Sequence, residues 1–275
     1  MQQEISYKHR PSKAKKGHLL FHIYAALVYL FLYLPIFVLV IFSFDDSRLA
    51  VKWTGFTIKW YQNLVGDTAV LDALQNSLIV ASAAVFISTI LGVAAAYGIH
   101  NLKSRSLKTA GRALIVLPII VPEIAMAVSA LILFIALGVT LGLASVIAAH
   151  IVFCLSYVTL TVMARLEGMN PHLTEAALDL GLTPWQAFCK VTLPLLAPGI
   201  ISGAMLAFVL SLDDFVITQF TAGVGATTLP LRIYSLVKFG VSPEINALST
   251  LMLVTTLLVA SVAETIRVRS AKTAS

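Results

Sequence analysis

Four groups of side chains in this sequence have types and positions that could do chemistry. Glu123 lies between Pro122 and Ile124, and from Ala113 to Ala164 it is the sole acidic or basic side chain apart from His150. A carboxylate in so apolar a run is costly unless it meets water, protein dipoles or a cation. It is a candidate wall of a path for a positively charged solute; a structural hydrogen bond between helices is the other reading. Asp213 and Asp214 form a carboxylate pair that could attract an ammonium or guanidinium group. Equally, they could cap helix ends or pair with Arg232 or Lys238. Trp53, Trp60 and Tyr61 could present ring faces to an amine, but rings beside an apolar span more commonly anchor it at the membrane interface, and they are read so here. His150, alone in an apolar run, reads as a packing residue and is assigned no role.

Other chemistries have no support. There is no G-x-x-x-x-G-K-[ST] loop to cradle phosphates and no H-E-x-x-H to hold zinc, and Gly223-Val224-Gly225 lacks the Gly-Lys-Ser/Thr that would make it a phosphate loop. No spaced nucleophile and base appear, so no catalytic and no metal-ligating residue is assigned. Cys154 and Cys189 have no CxxC spacing and are expected as free thiols. The net charge of +6 comes from basic residues scattered between apolar runs, which argues against nucleic acid as a partner.

The elements that must position these residues are membrane helices. Of 275 residues, 59% are apolar and 12% charged, against roughly 25% charged in an ordinary soluble domain. The apolar residues come in runs long enough to cross about 30 Å of hydrocarbon. The expected fold class is all-α, a polytopic membrane domain over residues 19–275 behind a basic tail at 1–18. Six spans are expected, at about 19–44, 77–99, 113–137, 143–165, 195–218 and 247–265, with a fold-back near Gly138 to Gly142. The first run is too long for a signal peptide and lacks an A-x-A cleavage site, so it is expected to remain as a span.

Lys and Arg set the orientation, because loops rich in them stay in the cytoplasm. Lys8, Arg10, Lys13, Lys15 and Lys16, then Lys103, Arg105, Lys108 and Arg112, then Arg165, Lys190, Arg267, Arg269 and Lys272 fall on one side. Arg48, Lys52, Lys59, Arg232 and Lys238 fall on the other. Both termini are expected in the cytoplasm.

Between spans four and five, Leu166 to Pro194 is too long for a tight turn. Thr174-Glu175-Ala176-Ala177-Leu178 reads as a short helix stopped by Gly181, and Thr183-Pro184-Trp185 as an N-cap followed by proline, opening a second helix that ends near Leu193-Pro194. These residues resemble a known family. Glu175-Ala176-Ala177, then Gly181, then Val191-Thr192-Leu193-Pro194 match the EAA loop of ABC importer permeases, with Val191 where isoleucine is usual. Ser211-Leu212-Asp213-Asp214-Phe215-Val216, Thr228-Leu229-Pro230, Ile233-Tyr234-Ser235 and Pro243-Glu244-Ile245-Asn246-Ala247 are similar to the spermidine/putrescine importer permeases of the PotC-like kind.

The resemblance implies a type I (MetI-like) permease fold in a bacterial inner membrane and an ATPase-coupling role for Glu175, Ala176, Ala177, Gly181, Leu193 and Pro194. It implies a homologous second permease subunit, two ATPase subunits, a periplasmic substrate-binding protein and membrane lipid as partners. No cofactor is expected on this chain, with ATP-Mg on the ATPase subunits. Uptake of spermidine or putrescine is the function it implies; the alternatives are another small cationic or amino-acid-like solute, or an ion-coupled secondary transporter using Glu123, Asp213 and Asp214.

Overall fold

The computed structural model describes residues 13–47, 52–170, 172–238 and 240–273. Lys8, Arg10 and Arg48, counted above for orientation, lie outside them. A chain in hydrocarbon must satisfy its own backbone polar groups, and helices do so locally. Accordingly the described elements are helices: α1 (Lys13–Phe42), α2 (Lys59–Gly66), α3 (Thr68–Asn101), α4 (Arg105–Ile120), α5 (Glu123–Ala136), α6 (Leu143–Glu167), α7 (His172–Asp179), α8 (Pro184–Ala187), α9 (Leu193–Asp213), α10 (Val216–Thr221), α11 (Leu229–Val237) and α12 (Pro243–Thr273). A π turn, Phe188–Thr192, joins α8 to α9. Five described helical stretches are long and apolar enough to cross a membrane, and the bent pair α4 and α5 would make a sixth.

Helix α6 is the axis of the bundle, with α3 and α9 packed along it, whereas α1 touches mainly α12. Ala96, Phe153, Val158, Val162, Leu196 and Ala207 fill the core between these three helices. Close approach depends on small residues, as is usual where lipid removes the hydrophobic drive between helices. A Cβ on Gly203 of α9 would stand 3.1 Å from the Val158 Cα and 3.2 Å from the Thr161 Cβ of α6.

Three expectations need correction. The third span is not one kinked helix over 113–137: α4 and α5 meet at 102°. Pro122 lacks an N–H and its ring would strike the carbonyl four residues back, so Val121 is extended and the helix restarts. The fifth span does not run unbroken to 218, because α9 ends at Asp213 and α10 starts at Val216. Nor does the second helix of the loop end near Leu193-Pro194; it runs through the π turn into α9, whose wider turn takes in Pro194 where an α-turn would be blocked.

At the far end of α1 the aromatic residues are tied inward. The Trp60 indole N–H donates to the Asp45 carbonyl at 2.7 Å, the Tyr61 hydroxyl is 2.7 Å from Ser43 Oγ, and Phe44 packs on both Phe56 and Tyr61. Asp45 itself is buried. Burial alone would push its carboxyl up, but the Ser47 hydroxyl and the Thr54 N–H and hydroxyl outweigh that and hold its pKa down at about 2.

Gly203→Leu should force α9 off α6 and destabilise the fold by about 1–3 kcal/mol or more, read as a lower Tm of the purified protein in detergent. A folded pKa below the unfolded value means that Asp45 contributes stability above about pH 4 which is lost as pH falls towards 2. The stability difference between wild type and Asp45→Asn should therefore shrink between about pH 5 and pH 2; a constant difference would exclude a role for the Asp45 charge.

Candidate functional site

The loop after α6 is built by local capping. Gly181 has φ +86°, a left-handed conformation that ends α7; its N–H donates to the Leu178 carbonyl at 2.9 Å and the Leu182 N–H to the Ala177 carbonyl at 3.2 Å. That pair of bonds is a Schellman cap. The Gln186 N–H then donates to Thr183 Oγ1 at 3.3 Å, the Thr183 N–H returns to Gln186 Oε1 at 3.0 Å, and Pro184 occupies the first turn. The turn between α7 and α8 is thereby fixed.

Glu175 projects from α7, paired with His172 at 2.9 Å, while Ala177 is buried and Ala176 exposed. Leu193 and Pro194 begin α9 and stand behind the loop. Two large apolar side chains point away from the protein here: Leu180 is 86% exposed and Trp185 71%. Trp185 also stacks on Phe188 of the π turn at 5.6 Å, and Phe188 packs on Tyr97 of α3 at 4.7 Å. An aromatic column thus runs from the exposed loop to the bundle. Its two inner rings went unnoticed in the sequence, because their contact depends on the π turn.

A second constellation lies at the two helix breaks. Glu123 opens α5, where the helix dipole favours a carboxylate, and is exposed. It shares a cleft of about 90 Å³ with Met126, Tyr157, Leu210, Asp214 and Ile217. The Asp213 and Asp214 side chains have different partners. Asp213 is exposed towards α12, where Thr256 donates to it at 3.2 Å, beside a larger hollow lined by Tyr234. The Asp214 side chain is 5% exposed and turns the other way, capping α10: its carboxylate accepts from the N–H groups of Ile217 at 3.3 Å and Thr218 at 2.9 Å. Capping is thus the reading that holds for Asp214, and the proposed partner Arg232 lies instead 3.9 Å from Asp67. The residue without an assigned role, His150, is 1% exposed and lies 3.1 Å from Asp214.

Residues 88–271 match the family described as "Binding-protein-dependent transport system inner membrane component". The chain belongs to this family. It is 40% identical over 242 residues, 88% of this chain and 91% of the relative, to the spermidine/putrescine transport system permease protein PotC of Escherichia coli K12. It is 42% identical over 230 residues, 84% and 89%, to PotC of Haemophilus influenzae. With the putrescine transport system permease protein PotI of E. coli K12 it shares 41% over 229 residues, 81% and 82%. Among solved structures, a bacterial ABC transporter importing the acidic polysaccharide alginate superposes with TM-score 0.74 at 17% identity, covering 93% of this chain and 96% of that one. The MetNI methionine transporter gives 0.60 at 19% identity, with 78% and 99% covered.

As a member of the family, the protein is a membrane-spanning permease subunit of an ABC importer with the MetI-like fold, a transport component and not an enzyme. The ion-coupled transporter weighed above is set aside. Permeases of this kind reside in the inner membrane and work with another permease, ATPase subunits and a binding protein.

Gly181→Val should break the Schellman cap, since a β-branched residue resists φ +86°. Amide exchange should quicken across residues 180–187 while that of α6 stays unchanged; equal exchange throughout would show that the loop is held by other contacts.

Proposed function

We propose that the permease forms one half of the membrane path of an importer of polyamines, with spermidine or putrescine as cargo. The identity of 40% with a spermidine/putrescine permease across 88% of the chain carries this reading. Glu123 supports it, as an exposed carboxylate at a helix start, set in a membrane cleft where a cation gains most from charge. The basic side, with Lys103, Arg105, Arg112, Arg165 and Lys190, faces the cytoplasm. That assigns both termini to the cytoplasm and turns α7 and α8 towards it as well.

A second, related permease supplies the other half of the path, and a periplasmic binding protein delivers the solute. Two ATPase subunits dock on the EAA loops and hold ATP-Mg, none of which this chain binds. Leu180 and Trp185 supply the apolar contact for that docking, and Glu175, Ala176, Ala177, Gly181, Leu193 and Pro194 belong with them to the ATPase-coupling surface. Closure of the ATPases on ATP biases a membrane domain with two states. The column Trp185, Phe188, Tyr97 passes that bias to α3. Asp213, directed at α12, adds charge at the opposite end.

The test is ATP-dependent uptake of labelled spermidine and putrescine by the complete transporter in vesicles. Wild type should transport both; Trp185→Asp should abolish uptake in an assembled complex by weakening ATPase docking. Glu123→Gln should lower the solute moved per ATP hydrolysed by about tenfold, through loss of the charge that holds a cation in the path. Uptake of neutral or amino-acid-like solutes with no polyamine transport would replace the cargo and leave the coupling scheme intact. Undiminished coupling in Glu123→Gln would remove that residue from the path.

A further inference from the structure

His150 is fully buried, and no step of the transport scheme above uses it. Its ring joins three helices. From α6, Nδ1 lies 2.8 Å from Ser211 Oγ on the last turn of α9, and Nε2 lies 3.1 Å from both Asp214 Oδ2 and Thr218 Oγ1 of α10. One assignment of donors and acceptors satisfies every member of this cluster. The Thr218 N–H and hydroxyl both donate to Asp214 Oδ2 at 2.9 Å. With its proton on Nε2, the ring donates to the same oxygen, and Nδ1 accepts from the Ser211 hydroxyl. A carboxylate 5% exposed requires such a full set of donors, because one left without them costs far more than any single bond returns.

The consequence reaches Glu123. Asp214 caps α10; α10 packs against α5; α5 begins with Glu123; and Asp214, Ile217 and Glu123 line one cleft. We propose that His150 is a positioning residue of the solute path: by donating to Asp214 it sets the start of α10, and through α10 the wall facing Glu123. The ring would not touch the solute. That uptake should respond rests on the cationic-solute reading, whereas the ordering of α10 does not.

Two substitutions separate the ring's two nitrogens. His150→Gln can place an amide nitrogen near the position of Nε2 and so keep a donor to Asp214; His150→Asn reaches only about as far as Nδ1 and keeps the contact with Ser211. Both are measured in the complete transporter, for labelled spermidine moved per ATP hydrolysed and for amide exchange across residues 215–221.

The Asn variant should lose about tenfold in solute moved per ATP, with faster exchange at Ile217 and Thr218, and the Gln variant should stay within about twofold of wild type in both. A role confined to holding α6 against α9 gives the opposite order, because Asn keeps that contact. Equal behaviour of the two variants, or a loss confined to Gln, overturns the proposal. Should the Asn variant not assemble, the Gln variant decides, because it gives up the contact with Ser211 and keeps the donor to Asp214. Exchange at Ile217 and Thr218 unchanged from wild type then supports the proposal, and faster exchange overturns it. If the wild type moves no polyamine, the cargo reading fails, and the exchange comparison alone still decides the role of His150.

Discussion

Within hydrocarbon a backbone N–H or carbonyl has no water to turn to, so a helix can break only where side chains or a second helix end take over its bonds. The two breaks inside the bundle meet this demand differently, and a cleft lies between them. At Val121-Pro122 the proline removes one donor itself, and the Pro122 carbonyl accepts from Met126 at 3.1 Å as α5 begins. At Asp214-Phe215 the Asp214 carboxylate takes up the free N–H groups of α10. A charged cap must then be stabilised in turn, and His150 provides the remaining donor from α6. Irregular backbone, a capping carboxylate and a buried histidine therefore gather at one place for one reason.

The same accounting shapes the loop at the other end of the bundle, with different means. Its capping groups are exposed, so each contributes only about 1 kcal/mol, and none would hold the loop alone. Rigidity comes from continuity. Helix α8 runs through the π turn into α9, and the ring contacts from Trp185 to Phe188 to Tyr97 add about 0.5–1.5 kcal/mol each. A force applied at Trp185 thus meets both α9, through the backbone, and α3, through side chains. These two helices flank α6, the helix that bears His150, so loop and cleft are mechanically joined by the core of the bundle.

Polar residues near the membrane surface are similarly drawn inward. Asp45, Trp60 and Tyr61 make a hydrogen-bonded clasp at the end of α1, while α1 itself packs mainly on α12 and leaves its other faces open. The rings read as interface anchors spend part of their surface on residues at the end of α1: Trp53 on Phe42, Tyr61 on Phe44, and Trp60 through its bond to Asp45.

What the sequence determined by itself is what local physics decides. Apolar runs of sufficient length specified an all-α chain with helices long enough to cross a membrane, and Gly181, Thr183 and Pro184 specified the caps between α7 and α8, since each cap involves residues only a few positions apart. The EAA spacing was enough to show the family. Only the tertiary structure decided that Pro122 breaks the helix at 102° and does not merely kink it, because a proline allows either outcome, and the bent arrangement brings α5 against α10, which is far from it in sequence. It alone separated Asp213 from Asp214, since the two point to helices α12 and α6 on opposite sides of the break. And it alone gave His150 a purpose: its partners lie 61 to 68 positions away, and no periodicity or spacing can show a hydrogen bond made across that distance.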